Sequence, residues 1–302
     1  MLISENDMKG MNYMEREKIL ITCDSTADLP KEIIKKYDIR VLPLNVNLGG
    51  NIHHDGVDVT PEDIFSFAAT RSILPKTTEP TLEETFKFFA PLVRQGYEIL
   101  HFTLSAELSQ SYTNAEINAK KLGHIHVIDT RTASCAEGMI VLNAAQMLAE
   151  GHFLNEIIDS SNFMIGKIRA TFVVDKMDFL YKGGRCSALA KFGATIFNIK
   201  PNIVVTREGK LDVEKKYRGR FPDAVSKFLK EELGDGSTID NDKFFLVHTN
   251  ADNGVIEMCE NRIKSVVNPK HLYTVKSGCT IASHLGPNVV VLIFMKKFGV
   301  SW

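Results

Sequence analysis

The stretch Tyr97-Glu98-Ile99-Leu100-His101-Phe102-Thr103-Leu104 runs directly into Ser105-Ala106-Glu107-Leu108-Ser109-Gln110-Ser111-Tyr112. The first eight residues predict a buried strand, because apolar, β-branched and aromatic residues fill a run of strand length after the turn-prone Gln95-Gly96. The next eight place three serines in the turn before a helix that begins near Ser111. Backbone N–H groups and the helix dipole converge on such a turn and favour an anion. This strand-turn-helix unit therefore indicates a carboxylate or phosphate pocket.

The same serines have a second interpretation as helix N-caps. Serine is among the preferred residues at that position, where a cap is worth about 1 kcal/mol. Ser109 and Ser111 could fill that role with no ligand, since many strand-to-helix turns in α/β proteins bind nothing. The turn by itself leaves capping and anion binding open.

Composition excludes several classes of function. The chain has 302 residues, 44% hydrophobic and 24% charged, which is enough for two domains with a sizeable core. Its net charge of -1 gives no electrostatic footprint for nucleic acid or an anionic membrane. The five cysteines are scattered and form no C-x-x-C pair, which argues against a disulfide framework or a zinc site. We therefore expect reduced thiols, a cytoplasmic location, no nucleic-acid partner and no cofactor.

Neither end of the chain indicates a membrane segment. Residues 1–17 are polar with mixed charges and no apolar core of a signal peptide, so we expect a disordered extension. The apolar run over 289–295 is too short to span a bilayer and predicts a buried strand. We expect no stable membrane insertion.

Strands and helices alternate with short connections from residue 18 to about residue 165, which is typical of a parallel sheet covered on both faces. The remainder combines strands and helices less regularly. We therefore predict an α/β protein of two domains, with a parallel-sheet β-α-β domain over 18–165 and a mixed-sheet α+β domain over 166–302. The extended stretch 39–48 is expected to be the second strand of the first domain.

Several polar residues lie where such a fold binds ligands. Asp24-Ser25-Thr26 follows the first predicted strand, where open α/β sheets bind ligands, although an Asx or Ser/Thr turn is an equal alternative. Asp28, two residues before Pro30, is expected to cap the next helix. Thr81 with Glu84 predicts a capping box. Thr77 and Thr78, in the preceding predicted loop, remain free to meet the central serines.

Other motifs point away from metal or nucleotide chemistry. Adjacent His53 and His54, followed by Asp55, suggest a metal site, but neighbouring side chains point in different directions and no third ligand has a recognisable spacing. We expect no metal. The sequence also contains no P-loop, dinucleotide fingerprint, G-x-S-x-G elbow or S-x-x-K pair, which disfavours standard nucleotide and hydrolase functions.

Seven segments, in one chain order, resemble the DegV family of bacterial fatty-acid-binding proteins from about Lys18 to the end. They are residues 22–30 (TCDSTADLP), 77–81 (TTEPT), 104–112 (LSAELSQSY), 127–129 (VID), 182–185 (KGGR), 198–201 (NIKP) and 284–287 (HLGP). The resemblance implies two α/β domains with a long-chain fatty acid between them. It also implies a carrier without catalytic residues of its own, which presents the acid to a separate fatty acid kinase for acyl-phosphate formation.

The resemblance further implies which residues meet the ligand. The carboxylate ligands would be Thr77, Ser109 and the backbone around Gln110 and Ser111, with Thr78 and His284 beside them. Arg185 and Arg218 would lie near the head group or on the kinase-facing surface. The resemblance also implies an apolar tunnel for the acyl tail. Candidates for its lining, in the half of the chain expected to form it, are Phe172, Phe179, Phe192, Ile196 and Phe197.

Three positions depart from the family's pattern and keep other functions open. Gln110 replaces the glycine of Ser-Gly-Thr, Glu79 stands in the Thr-Ser-Gln-Pro loop, and Asn288 replaces the glycine after His-x-Gly-Pro. A binder of another small carboxylate or phosphorylated metabolite is therefore a second hypothesis. A third is a serine-dependent hydrolase or transferase with Ser109 as nucleophile and His284 as base, although no orienting acid has a recognisable spacing.

Overall fold

Two main sheets and one small sheet organise the chain. The structure is a computed structural model that describes residues 18–71, 73–189 and 199–297. The strands are β1 (Lys18–Asp24), β2 (Arg40–Leu42), β3 (Asn45–Leu48), β4 (Asn51–His54), β5 (Lys76–Thr78), β6 (Tyr97–Thr103), β7 (Ile125–Asp129), β8 (Ile168–Val174), β9 (Ile199–Val205), β10 (Leu211–Arg218), β11 (Ile239–Thr249), β12 (His271–Lys276) and β13 (Val289–Lys296). The α-helices are α1 (Lys31–Lys36), α2 (Pro61–Arg71), α3 (Leu82–Arg94), α4 (Ser111–Leu122), α5 (Cys135–Glu150), α6 (Leu154–Met164), α7 (Asp178–Gly183), α8 (Phe221–Leu233), α9 (Asn253–Val266) and α10 (Cys279–Leu285).

The predicted α/β architecture is confirmed. The first sheet has four parallel strands in the order β2-β1-β6-β7. The second has six strands in the order β10-β9-β8-β13-β11-β12, where only the β11–β12 pairing is parallel. The central strand β6 ends in five consecutive buried residues, as expected for a strand covered on both faces. The carboxyl ends of β1 and β6 therefore meet at the middle of the parallel sheet.

The prediction of one strand over 39–48 is wrong. Pro43 lies between β2, which joins the parallel sheet, and β3, which belongs to a third sheet of order β4-β3-β5. Proline has no backbone N–H and cannot donate to a sheet, so the chain changes direction there. The same small sheet corrects a second expectation, because Thr77 and Thr78 lie on strand β5 rather than in a loop.

Helix α5 forms the layer between the two main sheets. Its residues Cys135 to Leu142 are all buried, and one apolar cluster continues from it to β1 and β6 on one side and to β8 and β13 on the other. A Cβ at Gly138 would lie 2.4 Å from the Ala27 carbonyl oxygen, so glycine permits the close approach of α5 to the turn after β1. Within the described ranges, no helix is long and apolar enough to cross a membrane.

Side chains after β1 form internal hydrogen bonds. Ser25 Oγ donates to Asp55 and Thr26 Oγ1 donates to Glu137, so these two hydroxyl groups have partners far along the chain rather than the neighbours of an Asx or Ser/Thr turn. The expected capping role of Asp28 is wrong: α1 follows Pro30 without a side-chain cap. Asp28 has a φ of 48° and accepts hydrogen bonds from distant donors instead. By contrast, the local capping box of Thr81 and Glu84 is confirmed at the start of α3.

The N-terminus of α10 is held by two carboxyl groups from the other half of the chain. Gly278 N–H donates to Asp28 Oδ1 at 2.8 Å, and the N–H groups of Cys279 and Thr280 donate to Asp55 at 2.8 and 3.0 Å. Asp55 is only 3% exposed. These bonds satisfy donors that a helix leaves without intrahelical partners.

We predict that Asp55→Ala lowers the free energy of unfolding by about 3 kcal/mol, because it leaves buried N–H donors without an acceptor. Urea unfolding followed by circular dichroism measures this loss. Asp159→Ala, at an exposed position on α6, serves as the matched control and is expected to change stability by less than about 0.5 kcal/mol. Equal stability of the two variants would contradict the anchoring role of Asp55.

Candidate functional site

A cavity of about 800 Å³ lies between the parallel sheet and the mixed sheet. Its apolar wall comprises Leu44, Leu104, Leu108, Ala133, Ala170, Phe172, Leu180, Val205, Leu211, Ile281, Leu285 and Val291. Its polar wall residues are Thr77, Thr78, Glu79, Ser109, Ser134, Arg185, Thr280 and His284. The site therefore combines a large apolar surface with a limited set of hydroxyl groups, one imidazole and two charged side chains.

Thr77 and His284 meet in this wall although 207 residues separate them. Thr77 Oγ1 lies 2.7 Å from His284 Nε2, which joins strand β5 to helix α10. The other ring nitrogen, Nδ1, is buried and has no hydrogen-bond partner among the described residues. A Cβ at Gly183 would lie 2.8 Å from Nδ1, so the imidazole packs directly on the backbone of α7. The side chain is thus fixed by α7 on one side and by β5 on the other.

The His284 imidazole is neutral near pH 7. Burial, with the nearby Arg185 as a smaller cause, lowers the pKa of His284 to about 4. A proton on Nε2 would leave Nδ1 as an unpaired acceptor, which proteins tolerate more readily than an unpaired buried donor. In that tautomer His284 donates to Thr77, and the Thr77 hydroxyl proton is free to donate to a ligand oxygen.

The serine turn is held in place by Asp24, at the end of β1. Ser111 Oγ donates to Asp24 Oδ1 at 2.9 Å, and Leu104 N–H donates to Oδ2 at 3.2 Å. Burial raises the pKa of Asp24 to about 7. The hydroxyl of Ser111 is therefore engaged inside the protein, and this residue is not among those lining the cavity.

Ser109 differs from Ser111 in having a free hydroxyl proton. Its Oγ accepts the Ser111 N–H at 3.2 Å and lines the cavity. Gln110 is the N-cap residue of α4 and makes no capping bond with its side chain, whereas Ser109 Oγ satisfies the N–H of the first helical residue, so Ser109 has a capping role and Ser111 does not. The Ser109 hydroxyl can donate to a ligand in the cavity that Thr77 and His284 also line.

Arg185 connects the cavity to a more polar surface groove of about 980 Å³. Its guanidinium donates to the Leu108 and Gly183 carbonyl oxygens at 3.3 and 3.0 Å, which ties the serine turn to the end of α7. Gln110 and Lys210 line the groove but are not among the residues that line the cavity. The groove shares Glu79, Leu108, Ser109, Arg185 and Leu211 with the cavity, so it lies at the cavity mouth.

The remaining predicted site residues are dispersed. Thr78 and Phe172 lie in the cavity wall, whereas the Phe179 ring packs edge-on against Phe65 with centroids 6.4 Å apart. Arg218 is the exposed last residue of β10, whose first residue, Leu211, lines the cavity. A strand rise of about 3.3 Å per residue places the two roughly 20 Å apart. The predicted tunnel residues Phe192, Ile196 and Phe197 lie outside the described residues.

Sequence reasoning missed several residues of the wall. Ser134 and Thr280 contribute hydroxyl groups, and Leu44, Ala170 and Val205 contribute apolar surface. Ser134 has a φ of 57° and a ψ of -153°, a conformation that residues other than glycine rarely adopt. Its hydroxyl donates to Asp28 at 2.6 Å, and that bond has no local sequence signal because 106 residues separate the partners.

Two of the three departures from the family's pattern have a structural account. Asn288 has a φ of 58°, a conformation in which glycine is common and asparagine is tolerated, so the replacement preserves the turn before β13. Gln110 is exposed in the outer groove. Glu79, in contrast, lies in the wall of both the cavity and the groove and brings a carboxylate to the mouth.

The described residues provide no assembled catalytic or metal group of the types considered. No hydrogen bond joins Ser109 to His284 among them, and the His284 Nε2 atom is bonded to Thr77. A nucleophilic serine needs a base within hydrogen-bond reach. His53 lies 3.6 Å from Asp58, and within residues 18–71, 73–189 and 199–297 no group of three or more potential metal ligands is arranged to hold an ion.

Comparison with known proteins identifies the family. The model of the DegV family, described as uncharacterised protein, matches residues 18–297. The chain belongs to the DegV family. It is 31% identical over 283 residues to a DegV domain-containing protein of Caldanaerobacter subterraneus subsp. tengcongensis, covering 93% of this chain and 100% of that one.

Two further relatives carry functional descriptions. A fatty acid-binding protein of Thermotoga maritima is 29% identical to this DegV protein, with 90% of this chain and 96% of that one covered. The solved structure of a fatty-acid-binding DegV family protein from Thermus thermophilus has a TM-score of 0.84 and 27% identity, with coverage of 93% of this chain and 100% of that chain. Fatty acid binding is thus a described property of related DegV proteins.

The lowered pKa of His284 predicts a pH-dependent contribution to stability. Since the unfolded imidazole has a pKa of about 6.5 and the folded one a pKa of about 4, the contribution is complete above pH 6.5 and is lost as the pH falls towards 4. We expect the difference in unfolding free energy between the wild type and His284→Gln to fall by about 2 kcal/mol from pH 7 to pH 5. Urea titrations at both pH values measure it.

The control for this prediction is His271→Gln, which replaces an exposed histidine on β12. The wild-type pH dependence is expected to persist in that variant. If the difference in unfolding free energy between the wild type and His284→Gln stayed constant with pH, burial would not lower the pKa of His284.

Proposed function

We propose that this protein binds a long-chain fatty acid, with the acyl tail in the apolar cavity and the carboxylate beside Thr77, Ser109 and His284. The observation that carries the proposal is a mainly apolar cavity whose wall includes the hydrogen-bonded pair of Thr77 and His284 together with the hydroxyl of Ser109. Related DegV proteins described as fatty-acid-binding support the same ligand class.

The tail would supply most of the affinity. Burial of apolar surface is worth about 0.8 kcal/mol per CH₂ group, so a tail of about sixteen carbons has a gross contribution on the order of 12 kcal/mol. Loss of translational and rotational freedom offsets much of this amount. Phe172, Leu180, Ile281 and Val291 offer the required apolar contact surface.

The head group would be held mainly by neutral donors. Hydroxyl protons of Thr77 and Ser109 can donate to the carboxylate, and such bonds to a charged acceptor contribute about 1.5–3 kcal/mol each. Arg185 adds a positive charge at the mouth. An anion close to His284 would favour the protonated imidazole and so counteract the effect of burial on its pKa. Glu79 acts in the opposite sense and would weaken the binding of an anion at the mouth.

The protein would act as a carrier subunit for a separate fatty acid kinase, in the cytoplasm where ATP is available. In this reaction a carboxylate oxygen attacks the γ-phosphoryl group of ATP, the bond to ADP breaks, and an acyl phosphate forms. The groove beside the cavity mouth, with Arg185 and Lys210 in its wall, offers the kinase access to the carboxylate. The kinase would supply all the groups that bind ATP and catalyse the phosphoryl transfer.

We predict that Thr77→Val lowers fatty acid affinity by about tenfold or more, because one hydrogen bond to the carboxylate is lost while the side-chain shape is kept. Fluorescent fatty acid displacement measures the affinity. Thr113→Val, an exposed position on α4, is the matched control and should bind like the wild type. Native mass spectrometry with denaturing extraction identifies the ligand. A wild-type protein that neither carries nor takes up a fatty acid would refute the proposed function.

The carrier role predicts that acyl phosphate formation by a purified bacterial fatty acid kinase requires this protein. Hydroxylamine traps acyl phosphates as hydroxamates and provides the assay. Ser109→Ala should lower the rate of hydroxamate formation because the carboxylate loses a positioning donor. Ser187→Ala changes only the groove and should keep fatty acid affinity. Equal hydroxamate yields with and without this protein would exclude the carrier role, and full affinity and full activity of Ser109→Ala would exclude the head-group assignment.

A further inference from the structure

A second cavity, of about 690 Å³, lies next to the cavity described above, which we call the main cavity. It is enclosed by the segment after β7, helix α5, the end of α6, the start of β8 and the β9–β10 connection. Its lining residues are Thr130, Arg131, Thr132, Ile140, Met164, Ile165, Gly166, Ile168, Arg169, Val204, Val205, Thr206 and Arg207. None of the head-group residues proposed above belongs to it.

At three places, the same residue or near neighbours in the sequence line both cavities. Val205 lines both of them. Thr132 lines the second cavity and its neighbour Ala133 lines the main cavity. On strand β8, Ile168 lines the second cavity and Ala170 lines the main one. Three separate segments therefore pass directly from one wall to the other.

Strand pairing places the boundary at one row of the mixed sheet. Thr171 on β8 is paired with Val204 on β9 at the end of their antiparallel register, and Ala170 and Val205 are the next residues of the two strands beyond that pair. Directly opposed residues have side chains on the same face, and residues two apart on one strand share that face. Ile168, Ala170 and Phe172 thus form one line along β8 that runs from the second cavity into the main one.

The side chains at the boundary and beyond it suit an acyl chain. Ala170 is the smallest residue of that line, and Val205 lines both cavities. Beyond the row, the second cavity offers apolar surface from Ile140, Met164 and Ile168. Ile140 and Met164 are themselves buried, at 0% and 6% exposure, and belong to the same apolar cluster as Ala170 and Phe172. The apolar surface is therefore continuous across the boundary.

We infer that the second cavity receives the distal methylene groups of long acyl chains, and that the row formed by Ala170 and Val205 sets the length at which a chain enters it. This inference rests on the proposed function, since it assumes that the main cavity holds a fatty acid. Chains that end before the row would contact only the main cavity. Longer chains would pass over Ala170 and gain affinity from the second cavity.

The test is a comparison of saturated fatty acids from dodecanoic to eicosanoic acid, bound to the full-length protein and to Ala170→Leu. A leucine at this position narrows the row and should exclude the distal methylene groups. Each excluded methylene lowers affinity by about fourfold. We therefore expect Ala170→Leu to lose at least tenfold more affinity for the longest acids than for the shortest acid.

A second variant tests the inference without changing the main cavity. Ile168 lines the second cavity and not the main one. The larger side chain of Ile168→Phe should fill part of the second cavity and reproduce the loss of affinity for the longest acids. Val173→Leu, on the other face of β8 within the cluster under α8 and α9, is the control and should keep the wild-type length profile. Circular dichroism and urea unfolding establish that each variant is folded before its binding is measured.

The outcomes separate this inference from the proposed function. A wild type that binds fatty acids, with length profiles unchanged in folded Ala170→Leu and Ile168→Phe, would overturn the second-cavity inference alone. Equal losses for short and long acids in both variants would also overturn it. A wild type that binds no fatty acid would refute the proposed function and this inference together.

Discussion

The rest of the site depends on the hydrogen bonds that Asp28 and Asp55 accept from the N-terminus of α10. Helix α10 belongs to the mixed-sheet half of the chain, and both aspartates belong to the other half. With its N-terminus anchored in this way, the helix carries His284 to Thr77, 2.7 Å away on strand β5. The head-group end of the cavity therefore exists only when the two halves are joined, and the same bonds that join them also position its donors.

The contact between the two halves of the chain places carboxyl groups in a poorly solvated region. Burial raises the pKa of Asp28 to about 8 and that of Asp24 to about 7, and it also raises the pKa of Glu137. Hydrogen bonds from Ser134, Ser111 and Gly278 act in the opposite direction and stabilise the ionised forms. Several donors thus replace part of the solvation that these groups lose. The result is a set of directional bonds that specifies how the sheets meet, which apolar packing around α5 alone does not specify.

Apolar surface and hydrogen-bond donors occupy different parts of the cavity wall. Its apolar walls come from strands and helices of both halves, while β5, α10, the serine turn before α4 and the residues Ser134 and Arg185 supply its donors. A ligand with a long apolar part and one anionic end matches this division, and a small polar metabolite would leave most of the wall without contacts. The replacements at positions 110 and 288 preserve the division, because one side chain lies outside the cavity and the other occupies a turn. Glu79 changes only the charge at the mouth.

The sequence by itself determined the elements whose causes are local. The strand-turn-helix unit at β6 and α4 and the capping box at Thr81 follow from residues a few positions apart, and the alternation of strands and helices indicated that the first sheet is parallel. The family motifs also indicated Thr77, Ser109 and His284, which the structure brings to one cavity. Only the tertiary structure decided the roles of Asp28 and Ser111, the break at Pro43 and the boundary at Ala170. The physical reason is distance along the chain: Asp28 finds its donors 106 and 250 residues away, and no local pattern encodes a partner that folding alone brings into contact.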